Sequence, residues 1–224
     1  MNPLRRIKNI IFKRDNYKLK QEISRYIKTD SPIIVEAGAH IGSDTCEMSK
    51  VWPKGVIHAF EPIPEIFKKL KQNTKGYKNI ITYPLALSNQ TGTAEIFVSS
   101  GSSNGSSSLL APKEHLAEHP DVLFDNKIKI NTITLDDWAS TNKVSHVDFL
   151  WLDMQGYELT ALKSGEAILK TTDTIYMEVF LKQLYEGAPL YQEVRDWLEG
   201  RGFKVEKEEM DWDSVGNVLF VRNN

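Results

Sequence analysis

The strongest constraint on this chain is a pair of apolar runs linked through a glycine-bearing turn. Ile33-Ile34-Val35-Glu36-Ala37 leads into Gly38-Ala39-His40-Ile41-Gly42. A helical pattern follows, and Val56-Ile57-His58-Ala59-Phe60 then ends in Glu61-Pro62. Short apolar runs separated by a helix read as buried parallel strands. Glu61 stands nineteen positions after Gly42, near the roughly 20-residue offset at which a βαβ unit places an acid for a ribose. Glycine lets the backbone approach a ligand where a Cβ would collide. An acid at the carboxyl end of the second strand can accept hydrogen bonds from two vicinal hydroxyls. The segment reads as an adenosine-type cofactor site, against the alternative of a plain strand-to-helix turn.

The turn also narrows the cofactor. A dinucleotide fingerprint needs G-x-G-x-x-G so that a pyrophosphate can rest on a helix N-terminus. Here His40 occupies the middle position, leaving Gly38 and Gly42, and Ser43-Asp44-Thr45 supplies no Walker lysine. Glu36 would repel a diphosphate but attract an ammonium. An acid-rich, two-glycine turn suits S-adenosylmethionine, which carries an amine, a sulfonium and no phosphate.

Further along, strands and helices alternate. The pattern predicts helices at 43–51, 64–74, 135–140, 157–169 and 190–201. Further strands are expected at 80–85, 147–152, 174–179, 203–207 and 217–221. Such alternation implies a mostly parallel sheet covered on both faces, with the closing pair contributing one reversed strand. The runs 93–98 and 128–134 read as an inserted antiparallel pair. Glu36, Glu61, Asp153 and Glu178 all fall at strand ends, the rim where such sheets bind ligands. Between the inserted strands, Ser99-Ser100-Gly101-Ser102-Ser103-Asn104-Gly105-Ser106-Ser107-Ser108 reads equally as a lid or as a flexible spacer.

With 28 basic and 30 acidic side chains, the chain has no general basic surface for nucleic acid. Its single Cys46 excludes a disulfide framework and a CxxC zinc site. The absence of a signal-peptide pattern or spanning run gives a soluble, cytoplasmic expectation. The sequence divides into a basic N-terminal segment, 1–30, and one domain, 31–224. Arg5, Arg6, Lys8, Lys13, Arg14, Lys18 and Lys20 interleave with Leu4, Ile7, Ile10, Ile11 and Phe12. This is a helix packed on the domain or, less favoured, a peripheral contact with an anionic membrane.

Six segments resemble the FkbM family of S-adenosylmethionine-dependent methyltransferases: VEAGAHIGSDT (35–45), HAFEPIPEIFKKLKQN (58–73), PLALSNQTGTAEIFV (84–98), TLDDW (134–138), DFLWLDMQGYELTALKSG (148–165) and the stretch 175–203. The F-E-P-x-P and D-x-Q/E-G-x-E signatures, in this order, are its specific part. The resemblance implies a Rossmann-like class I methyltransferase fold with a reversed last strand. It also implies that Glu36, Gly38, His40 and Gly42 surround the methionine part and that Glu61 binds the ribose. Pro62 and Ile63 would lie against one side of the adenine and Leu85 and Ala86 against the other, with Asp153 and Gln155 beside the sulfonium. Many members carry Asn at the His40 position and Glu at the Gln155 position.

Methyl transfer to a hydroxyl needs in-line positioning and removal of a proton. Asp153 and Glu178 are the candidate bases. A metal-assisted version would instead use Asp153, Gln155 and Glu178 as oxygen ligands. Glu158 reads as a helix cap, and His115 and His119 as bases only if the serine loop folds over the site. The resemblance implies O-methylation of a sugar, glycan or other secondary metabolite. Tyr157, Phe180, Tyr185, Tyr191 and Trp212 are candidate acceptor contacts. A binding module without catalysis and a nicotinamide-dependent oxidoreductase are the competing readings, and the oligomeric state is open.

Overall fold

The computed structural model describes residues 16–210 and 213–223. Ile7, Ile10, Ile11, the basic residues up to Arg14, and Trp212 lie outside the described residues. The first described element is a helix, α1, at 16–23.

Seven strands form the main sheet. They are β1 (Ile33–Ala37), β2 (Val56–Phe60), β3 (Ile80–Tyr83), β7 (Val147–Leu152), β8 (Thr172–Phe180), β9 (Phe203–Glu209) and β10 (Val215–Arg222). Their spatial order is β3-β2-β1-β7-β8-β10-β9. All neighbours from β3 to β8 are parallel, and β10 runs antiparallel to both β8 and β9. The reversed strand is thus the last in sequence but sits inside the edge. A second sheet holds β4 (Ala86–Leu87), β5 (Gly92–Gly101) and β6 (Val122–Ile133), with β5 and β6 antiparallel. The inserted pair is therefore a small sheet of its own.

Two-residue periodicity sorts the main strands between two helical layers. Val35, Ala37, Leu150 and Leu152 face a core shared with α5 (Leu135–Thr141), α6 (Glu158–Lys163), α7 (Glu166–Leu169) and α8 (Tyr191–Glu199). Ile34, Ile57, Phe149 and Trp151 face the other layer, where Leu19 and Ile23 of α1 meet Met48 of α2 (Ser43–Val51). Leu70 of α3 (Pro64–Thr74) packs on Ala39 and Ala59. Every residue of β7 is buried, which explains its largely apolar sequence; the one acid in it, Asp148, accepts from Ile33 N–H at 2.7 Å.

Two expected elements change shape. The helix expected at 157–169 breaks at Ser164-Gly165 into α6 and α7, and Leu135 packs so closely there that a Cβ on Gly165 would lie 2.6 Å from its Cδ2. The third strand stops at Tyr83 rather than reaching Leu85, and the chain leaves the main sheet so that β4 can pair with β6. That departure brings Leu85 and Ala86 to the rim.

Candidate functional site

The carboxyl ends of β1, β2 and β7 surround a cleft of about 210 Å³. Interstrand bonds set its floor. Asp153 N–H donates to the Ala37 carbonyl, and Gly38 and Ala39 N–H both donate to the Phe60 carbonyl. Gly38 has φ +83°, and a Cβ there would sit 1.8 Å from the Asp153 carbonyl oxygen. Only glycine fits this crossing of the two strand ends. Gly42, at φ +84°, caps α2 instead, and a Cβ there would lie 2.7 Å from Leu70 on α3. Its role in this geometry is helix packing, and it does not line the cleft.

Glu61 projects from the end of β2. One carboxylate oxygen accepts from Ile63 N–H at 2.8 Å and the other from His40 N–H at 3.1 Å. The two bonds fix its orientation and draw its pKa down, but burial dominates and raises it to about 7. His40 and Pro62 line the same wall, and the His40 Nε2 lies 3.1 Å from Asn104 Oδ1. Next to Glu61, Ile63, Ile66, Leu85, Ala86, Ile96 and Leu109 make an apolar slot.

Asp153 opens to the cleft from the end of β7. Packed protein on its other sides raises its pKa to about 6, against the opposing pull of a Gln155 hydrogen bond. The Gln155 amide nitrogen donates to Asp153 Oδ1 and to Glu178 Oε2, both at 2.8 Å. Glu178 is not among the cleft-lining residues. Its pKa is raised well above the usual carboxylate range, by burial first and then by Asp153 and Glu158. Glu36 lies beneath the turn, 1% exposed, and accepts from Thr45 Oγ1. Burial, with Asp44 nearby, lifts its pKa to about 8. Of the four strand-end acids, the structure therefore brings Glu61 and Asp153 to the cleft and sets Glu36 and Glu178 behind it.

The remaining expected contacts divide in the same way. Tyr157 lines the cleft. Phe180 and Tyr185 are buried in a cluster with Leu184 and Ala188, and Tyr191 starts α8. His115 and His119 stack beside one another, His115 also against Phe124 and Tyr185. Neither reaches the cleft. Glu158 accepts from Met154 N–H at 2.6 Å, a local cap of its own turn. The Gln155 amide turns its nitrogen, not its oxygen, toward both acids. Asp153, Gln155 and Glu178 thus form a hydrogen-bond chain rather than an oxygen ligand set for a cation.

Sequence reading missed the place of Asp44 in the cleft, and it left the serine segment open between a lid and a spacer. Asp44 lines the cleft from the first turn of α2 and pairs with Lys20 of α1, a side chain with no exposure that also reaches Glu47 at 2.9 Å. Asn104, Gly105, Ser107 and Ser108 form part of the cleft wall. The low-complexity segment is internally bonded, with Ser99 N–H donating to Ser107 Oγ and Ser106 N–H to Ser99 Oγ. The charge pattern of 18–20 and the loop's own polarity were the available signals, but neither names a partner.

The cleft suits a nucleoside bearing a cation. Its charged lining groups are Asp44, Glu61 and Asp153, and no lysine or arginine lines it among the described residues. A diphosphate would meet acids there, whereas the pinned carboxylate could take the hydroxyls of a ribose and the apolar slot could take an adenine.

The sheet order, the reversed β10 and this acid-walled cleft define a Rossmann-like methyltransferase. Residues 36–205 match the methyltransferase FkbM domain. The chain belongs to the FkbM methyltransferase family. It is 30% identical over 186 residues to the 2-O-methyltransferase NoeI of Sinorhizobium fredii, covering 81% of this chain and 76% of that protein. It is 23% identical over 151 residues to the hexuronic acid methyltransferase AglP of Haloferax volcanii, 67% of this chain and 56% of that one. The fold matches magnesium protoporphyrin IX methyltransferase (ChlM) from Synechocystis, solved with bound SAM. The TM-score is 0.58 at 10% identity, over 100% of this chain and 85% of that chain.

Proposed function

We propose that this methyltransferase transfers the methyl group of S-adenosylmethionine to a hydroxyl of a sugar or glycan. The observation that carries the reading is the pairing of two acids in one cleft. Glu61 is fixed for a ribose, and Asp153 stands across the Gly38 turn with a free edge. The names of the relatives, a 2-O-methyltransferase and a hexuronic acid methyltransferase, support a sugar hydroxyl as the acceptor class.

S-adenosylmethionine supplies the electrophilic methyl when bound. Glu61 would hold the ribose hydroxyls, and Ile63, Leu85 and Ala86 the adenine. Asp44 would face the amino-acid end. At neutral pH a carboxyl titrating near 6 is mostly ionised, so Asp153 can accept the proton of an attacking hydroxyl. Glu178, its pKa raised by burial and by Asp153 and Glu158, would act from behind Gln155. Asn104, Ser107, Ser108 and Tyr157 offer hydroxyl and amide groups to a polyhydroxyl acceptor on the open side.

No helix among the described residues is long and apolar enough to cross a membrane. We place the protein in the cytoplasm, with at most a peripheral membrane contact through the N-terminal basic segment.

The test is to incubate purified protein with the methyl donor and a panel of monosaccharides, uronic acids and oligosaccharides. S-adenosylhomocysteine and a singly methylated acceptor are then followed by mass spectrometry. Tight binding of S-adenosylhomocysteine with no methylated member across the panel would exclude sugars as the acceptor class. Tighter binding of NAD would refute the cofactor assignment itself.

A further inference from the structure

We propose that Gln155 and Tyr185 are positioning residues that hold Asp153 for proton transfer and tie its orientation to the seating of the serine hairpin. The proposal rests on the reading of Asp153 as the base and extends it to Gln155, at the cleft wall beside it, and to Tyr185, which lies outside the cleft lining.

Three bonds fix the Gln155 side chain. Its two amide hydrogens go to Asp153 Oδ1 and Glu178 Oε2, each at 2.8 Å. Its oxygen faces the Tyr185 hydroxyl at 3.0 Å. A hydroxyl donor on one side and an ionised Asp153 on the other permit one amide orientation only. With Oδ1 held by the amide, the other oxygen of Asp153 is left for the cleft.

The same tyrosine holds the hairpin. Its hydroxyl lies 2.8 Å from the Ser106 carbonyl oxygen, so one hydrogen serves Ser106 and Gln155 together. Ser108 Oγ donates to the Gln155 carbonyl at 2.8 Å and receives Leu110 N–H at 3.0 Å. Gln155 itself sits at φ +56°, a conformation that L side chains rarely adopt. Such backbone persists where its surroundings over-determine it, and here the hairpin supplies part of the restraint. At its far end Asn104 meets His40 on the cofactor turn. The hairpin therefore spans from the cofactor turn to the base, and unseating it releases Gln155.

The groups facing Asp153 come from every element around it: Glu36 of β1, Asp44 of α2, Glu158 of α6, Tyr176 and Glu178 of β8, and Tyr185 beyond β8. Lys20 stands behind Asp44. With acids and tyrosines on these sides, and Lys20 engaged by Asp44 and Glu47, no cation stands ready to replace a lost amide donor.

The test titrates Asp153 in the full-length protein carrying ¹³C-carboxyl aspartate, with Asp153→Asn as the assignment reference. Wild type is compared with Tyr185→Phe and Gln155→Leu, and amide hydrogen exchange is followed across 99–110. In both variants Asp153 is expected to titrate about one unit higher, a tenfold rise in proton affinity. Exchange at 103–108 is expected to rise about tenfold. An Asp153 titration within about 0.2 units of wild type, or unchanged hairpin exchange, overturns the proposal. Tyr185→Phe removes a single oxygen and decides the question if Gln155→Leu does not fold. Calorimetry with S-adenosylhomocysteine on the same samples separates the two layers. Absent binding with both shifts intact refutes the cofactor reading, while normal binding without the shifts refutes the linkage.

Discussion

Glu61→Gln is the sharpest single perturbation of the cleft, because the structure accounts for each oxygen of the carboxylate. One oxygen receives Ile63 N–H and the other His40 N–H, which leaves one lone-pair direction on each for a ribose hydroxyl. Glutamine keeps one carbonyl acceptor and turns an NH₂ group toward a backbone N–H, so one anchor and one ribose contact fail together. A charge-assisted bond contributes about 1.5–3 kcal/mol and the second bond weakens to a neutral one, for a net loss of about 2–4 kcal/mol. That corresponds to a rise in Kd of roughly 30- to 1,000-fold. Ionisation adds a second signature. With a pKa near 7, Glu61 is half protonated at neutral pH. Binding that requires the carboxylate therefore weakens about fivefold between pH 7 and pH 6. Glutamine has no such dependence. Calorimetry with S-adenosylhomocysteine, which has the ribose but no sulfonium, reads both quantities. A variant Kd within threefold of wild type, with the same pH slope, would refute the role given to Glu61. Alanine is the poorer test, since it orphans both backbone donors and loosens the turn as well.

Asp153→Asn is expected to lower kcat by about 10²–10⁴-fold while changing the Kd for S-adenosylhomocysteine little, since asparagine keeps an acceptor but takes no proton. A chelator is expected to leave the wild-type rate unchanged; inhibition reversed by one divalent metal would restore the metal-assisted route. Lys20→Met leaves Asp44 and Glu47 unpaired and is expected to destabilise the fold by up to about 3 kcal/mol, because both acids keep partial access to water. Denaturant midpoints check this, as they do for deletion of residues 1–20, which removes Leu19 and Lys20 from α1 and is expected to lower stability. Finally, four acids carry folded-state pKa values raised above their unfolded ones: Asp153 to about 6, Glu61 to about 7, Glu36 and Glu158 to about 8. Their contribution is fully present below the unfolded value and is lost as pH rises through 6 to 8. The ligand-free thermal midpoint is therefore expected to fall from pH 5 to pH 8.5, and a midpoint rising over that range would contradict it.

The sheet and half of the cleft were legible because local patterns specify them. Ile33–Ala37 and Val147–Leu152 are apolar but for one acid each, Glu36 and Asp148, because helices cover both faces of those strands, and Glu61 is visible as the acid closing such a run. Gly38 is legible because a turn that tight admits little else. The position of Glu36 was not, although the two-residue period contains the clue. Ile34 and Glu36 share a face, and that face lies under α2 rather than open to the ligand. Glu178 lies two residues before the end of β8, and only its bond to Gln155 shows that it stands behind the cleft wall. The hairpin was illegible for another reason. Serines bond equally well to water or to each other, and the contacts that seat the loop join Ser106 to Tyr185 and Ser108 to Gln155 across 79 and 47 positions. No window of sequence contains both ends.

The raised acids also bear on why donor and product are distinguished. Glu61 and Asp153 carry raised pKa values, and among the described residues no lysine or arginine stands in the cleft wall to favour their ionised forms. A ligand carrying a sulfonium relieves that condition, since an opposite charge nearby favours the ionised carboxyls. Transfer of the methyl group converts the sulfonium to a neutral thioether, and the same acids then lose their counter-charge. The cleft therefore favours the charged donor over the product it leaves behind. As the proposed base, Asp153 would take up the acceptor's proton in the same step, end neutral and need no counter-charge. Binding, proton transfer and release are in this way set by one arrangement of carboxylates, with Gln155 deciding how Asp153 is held.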